Sequence, residues 1–383
     1  MKKNLLIVLN ILFVCFTVHS SYGQGSRYTG SYIKSSTIQH VGKSNFVIEG
    51  LEFTSNDRDL IVLYSCENVV IKNNSFVASP AKRGIYLDNC KNITIIDNTF
   101  DNVHTGLVAH NSRGIKFEYN DVKNVGGPMK EEDKNNGFVA LFDKVNGEGN
   151  SISYNVSENI FGQSSPGDLI NLNQSNGTAQ SPIVVKGNWI RGGGPSPSGG
   201  GIILGDIGGS YQVAEDNIVV DGGQYGISIA GGHDIALRNN KIYGSKNYFT
   251  NVGLYACNWY EENLGKSYNI TVAGNVVNYR NKEGNISNWW YASNVEPVSG
   301  KETNRYDPAL SPSILPEQII GRARMSVEPQ PEPDPDEKPD DIVLDPSISI
   351  YKDTFDRICA NCKGSISSSA SLSVLNQNGQ KIL

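Results

Sequence analysis

Short apolar runs, rich in β-branched residues, alternate with polar turns along most of this chain, and the alternation repeats. One set of runs opens on glycine: Gly-Ile-Tyr-Leu at 84–87, Gly-Leu-Val-Ala at 106–109, Gly-Phe-Val-Ala at 137–140, and again at 201–204, 226–229 and 253–256. A second set stands at 69–71, 93–95, 183–185, 235–237 and 270–272. An asparagine follows many of these runs, and two residues later comes another apolar side chain. The pairs are Asn74/Phe76, Asn98/Phe100, Asn120/Val122, Asn159/Phe161, Asn188/Ile190, Asn217/Val219, Asn240/Ile242 and Asn275/Val277. Such short alternating runs predict strands, and no amphipathic helical stretch of useful length appears after the first two dozen residues.

The asparagines recur at intervals of 22 to 39 residues, with a basic unit of 22–24 residues and several lengthened ones. Repetition on that scale predicts a stacked, all-β architecture. The reading is a right-handed parallel β-helix with one unit per coil and coils ~4.8 Å apart. Stacked asparagines then pass hydrogen bonds from amide to amide inside a turn, a structural role. The leading glycines suit either a positive φ or a close approach of backbone. Cys66 and Cys90 fall in one column, either as stacked core thiols or as a disulfide between coils.

These repeats resemble the pectin-lyase-like superfamily of bacterial β-helix proteins over roughly residues 30–280. The segments at 168–175, 192–201 and 205–206 are similar to a recurring bacterial β-helix family for which no reaction is implied. The superfamily holds lyases, hydrolases, epimerases and non-catalytic proteins, so the resemblance implies a fold more than an activity. Polygalacturonase-like hydrolases of this fold carry an Asp-Asp pair; here Asp340-Asp341 is the only one, outside the repeats. The Asp-Pro-His-Asp motif of the alginate epimerases is missing as well.

Composition refines the ends. Residues 1–23 read as a secretory signal: Lys2 and Lys3, an apolar run from Leu5 to Val18, then small residues at the cleavage positions. No other segment has the length to cross a membrane, so the mature protein is expected to be secreted, periplasmic or at the cell surface. Removing that signal shifts the net charge from −6 to −8. Residues 326–346 form an acidic linker interleaved with proline, and they hold most of that charge. The β-helix at 24–325 is then near −3, a balance that predicts no nucleic-acid partner. Residues 347–383 form a small segment that faintly resembles the carboxy-terminal secretion modules of gliding bacteria. Its Cys359 and Cys362 read as a local disulfide in preference to a zinc site. The chain is expected to act as a monomer.

Outward side chains of one strand column form a ladder, and lengthened turns beside it make a groove. The extra residues fall at 123–136, 143–150, 191–200, 244–251 and 259–268. Tyr64, Tyr255 and Trp259 supply flat rings suited to sugar faces. On one coil Tyr86 and Asp88 point outward, and His110 takes the position equivalent to Asp88 on the next. With Arg113 just beyond, this set could remove a proton beside a uronic-acid carboxylate and stabilise the enolate. The same residues could equally be a salt bridge at a coil edge. A second polar group joins Asn171 and Asn173, as sugar-binding amides, to Asp168 and Asp206. The resemblance implies that such oxygen ligands can hold Ca²⁺, which assists exported lyases of this fold.

The expected function is therefore a polysaccharide lyase acting on an acidic glycan. The alternatives are a non-catalytic glycan-binding surface protein and a glycoside hydrolase that uses Asp168 and Asp206.

Overall fold

The computed structural model describes residues 30–127 and 137–321, and the backbone of two further strands. Ser26–Ser326 is one compact unit. The two further strands, Ile348–Lys352 and Ile358–Cys362, pair as an antiparallel hairpin in a second unit. The expected secretory signal, the acidic linker and the side chains of the expected Cys359–Cys362 disulfide lie outside the described residues.

The large unit is a parallel β-helix. Twenty-eight strands join in one wound sheet, and each pairs in parallel with its equivalents on neighbouring coils. The coil has three faces. The first runs from Ile38–Val41 and Ile61–Tyr64 to Val252–Ala256 and Trp289–Tyr291. The second includes Glu67–Lys72, Lys91–Ile96 and Ile270–Ala273, and the third includes Leu51–Phe53, Trp189–Arg191 and Val276–Tyr279.

Strand alternation sends one set of side chains into a continuous apolar interior. Ile61, Leu63, Ile85, Leu87, Leu107, Ala109 and Phe142 from the first face are fully buried there. Phe53, Phe76 and Phe100 stack on successive coils, with centroids 5.2 and 4.5 Å apart and planes within 13°. Cys66 and Cys90 are buried free thiols; burial pushes the Cys90 thiol up to about 11, and its Sγ faces the Leu63 carbonyl. The leading glycines serve close approach: a Cβ on Gly106 would stand 2.5 Å from the Val139 carbonyl oxygen, and one on Gly226 would stand 2.5 Å from that of Gly253.

The asparagine ladder exists, with one substitution in its membership and one added rung, Asn304. It runs Asn74, Asn98, Asn120, Asn155, Asn188, Asn217, Asn240, Asn275 and Asn304, each amide donating to the next at 2.8–3.1 Å. Asn155, not Asn159, occupies the fourth rung. Each rung from Asn74 to Asn275 is preceded by a residue with positive φ, such as Asn73 (52°), Tyr154 (56°) or Gly274 (67°). That left-handed residue turns the chain and aims the amide along the stack. Asn159 lacks such a predecessor and instead accepts the Val125 N–H at 3.0 Å. At Asn155 the residue in the apolar position is Ser157, so the sequence pattern moved to the next asparagine that satisfied it.

Candidate active site

On the first face, registration is residue to residue from coil to coil. Tyr64, Asp88, His110, Asp143, Asn173 and Asp206 form one outward row. Val62, Tyr86, Val108, Leu141, Asn171, Ile203, Ser228, Tyr255 and Trp290 form the row beside it. The lengthened turns do flank this face. Those at 191–200 and 244–251 lead into it, and those at 143–150 and 259–268 lead out.

Along these rows the structure forms a cleft of about 660 Å³. Asp168 and Asp206 lie in it, and Asn171 ties them together. The Asn171 amide nitrogen donates to Asp168 Oδ2 at 3.1 Å and to Asp206 Oδ2 at 2.9 Å. Asp168 Oδ1 accepts from the Tyr225 hydroxyl and from the Gly200 N–H. Asp206 also accepts from Asn173 at 3.3 Å and from the Tyr260 hydroxyl at 2.7 Å. Burial pushes the Asp168 carboxyl up to about 6, partly offset by the Tyr225 hydroxyl and reinforced by the Asp206 charge. Burial also raises Tyr225 and Tyr260, and Tyr255 to about 12, so these phenols remain neutral donors.

Rings wall the cleft. Tyr255 is edge-on to Tyr225 at 5.1 Å and to Trp259 at 6.3 Å, and Trp259 lies 5.8 Å from Trp290. Trp259 is 59% exposed, an open apolar face beside the acids. Gln224, Asn251 and Ser198 add neutral polar groups. No lysine, arginine or histidine stands among these lining residues.

The residues that sequence reasoning placed in this group therefore come together: Asp168, Asp206, Asn171, Asn173, Tyr255 and Trp259. Their chemistry fits a different role from holding Ca²⁺. Every carboxylate oxygen here already faces an N–H or O–H donor, and the described residues hold no group of three acidic, histidine or cysteine ligands. Both asparagines turn nitrogen toward the acids, while Asn171 Oδ1 and Asn173 Oδ1 are buried without a partner. A calcium shell would want those oxygens turned to the ion.

The second predicted group is arranged differently from its expectation. Asp88 and His110 are adjacent in register, yet His110 Nδ1 bonds Asp143 Oδ2 at 2.7 Å, on the following coil. Asp143 was not visible as a partner because lengthened units separate it from His110 by 33 residues. Tyr86 meets Tyr64 edge-on at 6.0 Å and lies under Arg83, whose guanidinium is 4.0 Å from the ring centroid and bonded to Asp59. Burial and then Asp88 raise the Tyr86 phenol, against a base role. Arg113 is exposed at the start of Arg113–Glu118 on the second face, in register with Lys91, so the cation beside Tyr86 is Arg83.

A family model described as right handed beta helix region matches residues 36–277. The chain belongs to that family. Three solved structures are similar to it. The catalytic domain of a GH87 alpha-1,3-glucanase, solved with nigerose, shares 13% identity at a TM-score of 0.40, covering 69% of this chain. The chain spans about half of that domain, 54%. An alginate lyase from Paenibacillus sp. str. FPU-7 shares 12% at 0.38, covering 69% of this chain and 96% of the lyase. Endopolygalacturonase I from Stereum purpureum, complexed with two galacturonate, shares 13% at 0.30, covering 72% and 98%. No curated protein matches the sequence. Among the described residues no helix is long and apolar enough to cross a membrane.

Proposed function

We propose that this β-helix protein binds a neutral glycan in the Asp168–Asp206 cleft outside the cytoplasm and hydrolyses a glycosidic bond there. The carrying observation is the pair of carboxylates sharing the Asn171 amide beneath an aromatic wall. Trp259 and Tyr255 stack or edge the sugar rings, whose C–H faces are apolar. Asp168, with its carboxyl raised to about 6, is the general acid that protonates the leaving oxygen. Asp206, held by three donors, attacks the anomeric carbon as the glycosidic bond breaks, and a water deprotonated by Asp168 then displaces Asp206 from the glycosyl ester and restores both acids. One amide nitrogen bonded to both acids leaves little room for a water between them. Retention of anomeric configuration follows, since inverting pairs need ~6.5–9.5 Å.

A neutral substrate follows from the lining. An acidic glycan would place a carboxylate beside two acids with no cation among the lining residues. Turnover of neutral glycans by wild type, lost in Asp206→Asn while binding persists, is the expected result. Equal turnover by both proteins would refute the assignment.

A second reading rests on the His110–Asp143 pair. Asp143 holds Nδ1, which leaves Nε2 to take a proton, as β-elimination on an acidic glycan requires. His110→Ala would then abolish formation of unsaturated products, and the Asp206 variant would not.

A further inference from the structure

A second cavity of about 340 Å³ adjoins the cleft and shares Gln224 and Asn251 with it. Turns leading into successive coils build it, the lengthened ones at 191–200 and 244–251 together with Gln224 and Lys282. Phe249 sits against Gly194, where an added Cβ would fall 2.5 Å from the ring. Phe161 stacks on Phe249 at 6.0 Å, and Tyr248 stands edge-on to both at 5.1 and 6.5 Å. Phe161 is 51% exposed and Tyr248 is 65% exposed. Exposed rings at this level are unusual for a loop that has its own packing partner, and a flat apolar shelf is what a sugar face covers.

Polar groups complete the picture. The exposed Asn251 side chain makes no hydrogen bond among the described residues, and Lys282 on the rim makes no ion pair among them. Both can donate to ring hydroxyls. Gln224 is fixed by donating to the Pro197 carbonyl, so the junction between the cavities is set before any ligand arrives.

We infer that this cavity is a distal subsite for a sugar unit of the same chain whose reacting bond lies at Asp168 and Asp206. The inference rests on the glycan reading of the cleft and adds that the ligand is a chain of several units. A monosaccharide or disaccharide would fill the cleft alone and leave the Tyr248 shelf bare.

The test uses the full chain carrying Asp168→Asn, titrated calorimetrically with linear neutral gluco-, manno- and galacto-oligosaccharides from dimers to octamers. Affinity is expected to rise with length. Adding Tyr248→Ala should weaken the longer oligomers about tenfold, the worth of one stacked ring, and leave dimers unchanged. Lys282→Gln should weaken the longer oligomers in the same direction. An equal effect of Tyr248→Ala at every length, or none at any, overturns the subsite. Absence of binding at every length, in wild type as in the variants, overturns the glycan reading of the cleft and the subsite with it.

Discussion

The Asn171 side chain donates to Asp206 at 2.9 Å from one coil back, and the same nitrogen donates to Asp168 on its own coil. Parallel stacking makes this possible: Asn173 and Asp206 are register partners, so each coil offers its outward polar group to the next. Replacing Asn171 with Ala removes the bridge and leaves the two carboxylates to repel. A drop in kcat of about a hundredfold is expected, with KM little changed. Steady-state kinetics beside a thermal melt would check it; a loss confined to KM would assign Asn171 to substrate binding alone.

The raised Asp168 carboxyl gives the molecule a signature in pH. Its folded value of about 6 exceeds the ordinary 3.8, so the folded state holds the proton more tightly than the unfolded chain. Stability from this group is therefore greatest below pH 3.8 and falls as pH rises to about 6, by on the order of 2–3 kcal/mol. Denaturant melts across that window should show the slope in wild type and lose it in Asp168→Asn. Turnover should fall on the alkaline side of 6, as a general acid requires. A flat stability profile in wild type would remove the basis for that role.

Trp259 contributes binding area without supporting the core. It is 59% exposed, edge-on to Tyr255 and tilted against Trp290. Trp259→Ala is expected to raise KM about tenfold, with kcat and the melting temperature close to wild type. A large fall in melting temperature would show that the ring covers the coil instead.

Asn155 and Asn159 separate the ladder from its imitation. Asn155 is buried, accepts from Asn120 and donates to Asn188 and to the Phe117 carbonyl. Asn155→Ala orphans those groups and should cost about 3 kcal/mol. Asn159→Ala loses the Val125 N–H contact and the bonds donated to Ser157 Oγ and the Gly192 carbonyl, none of them part of the ladder, and should cost about 1–2 kcal/mol. Chemical denaturation of both variants checks the order, and an equal cost would place Asn159 in the ladder.

These residues also mark where the sequence was readable. Period-two apolar runs and recurring asparagines reveal the coil, because each coil must bury the same positions in the same way. Outward register was readable across the short step that aligns Asp88 with His110, and across one lengthened step, from Asn173 to Asp206. It failed at other lengthened units. The 35-residue step from Asn120 to Asn155 hid that rung, and the 33-residue step to Asp143 hid the partner of His110. Tyr225 and Tyr260 reach the acids from 57 and 54 residues away, by folding of coils that no local pattern encodes. Tyr260 was legible as a ring on a lengthened turn of the walled face, and Tyr225 was not.

The most direct measurement is the mass of products released from a panel of neutral and acidic glycans by wild type, Asp168→Asn, Asp206→Asn and His110→Ala. Wild type and His110→Ala are expected to release fragments heavier by one water from a neutral glycan, and neither aspartate variant is expected to release them. Unsaturated fragments that survive both aspartate changes and vanish with His110→Ala would contradict that expectation.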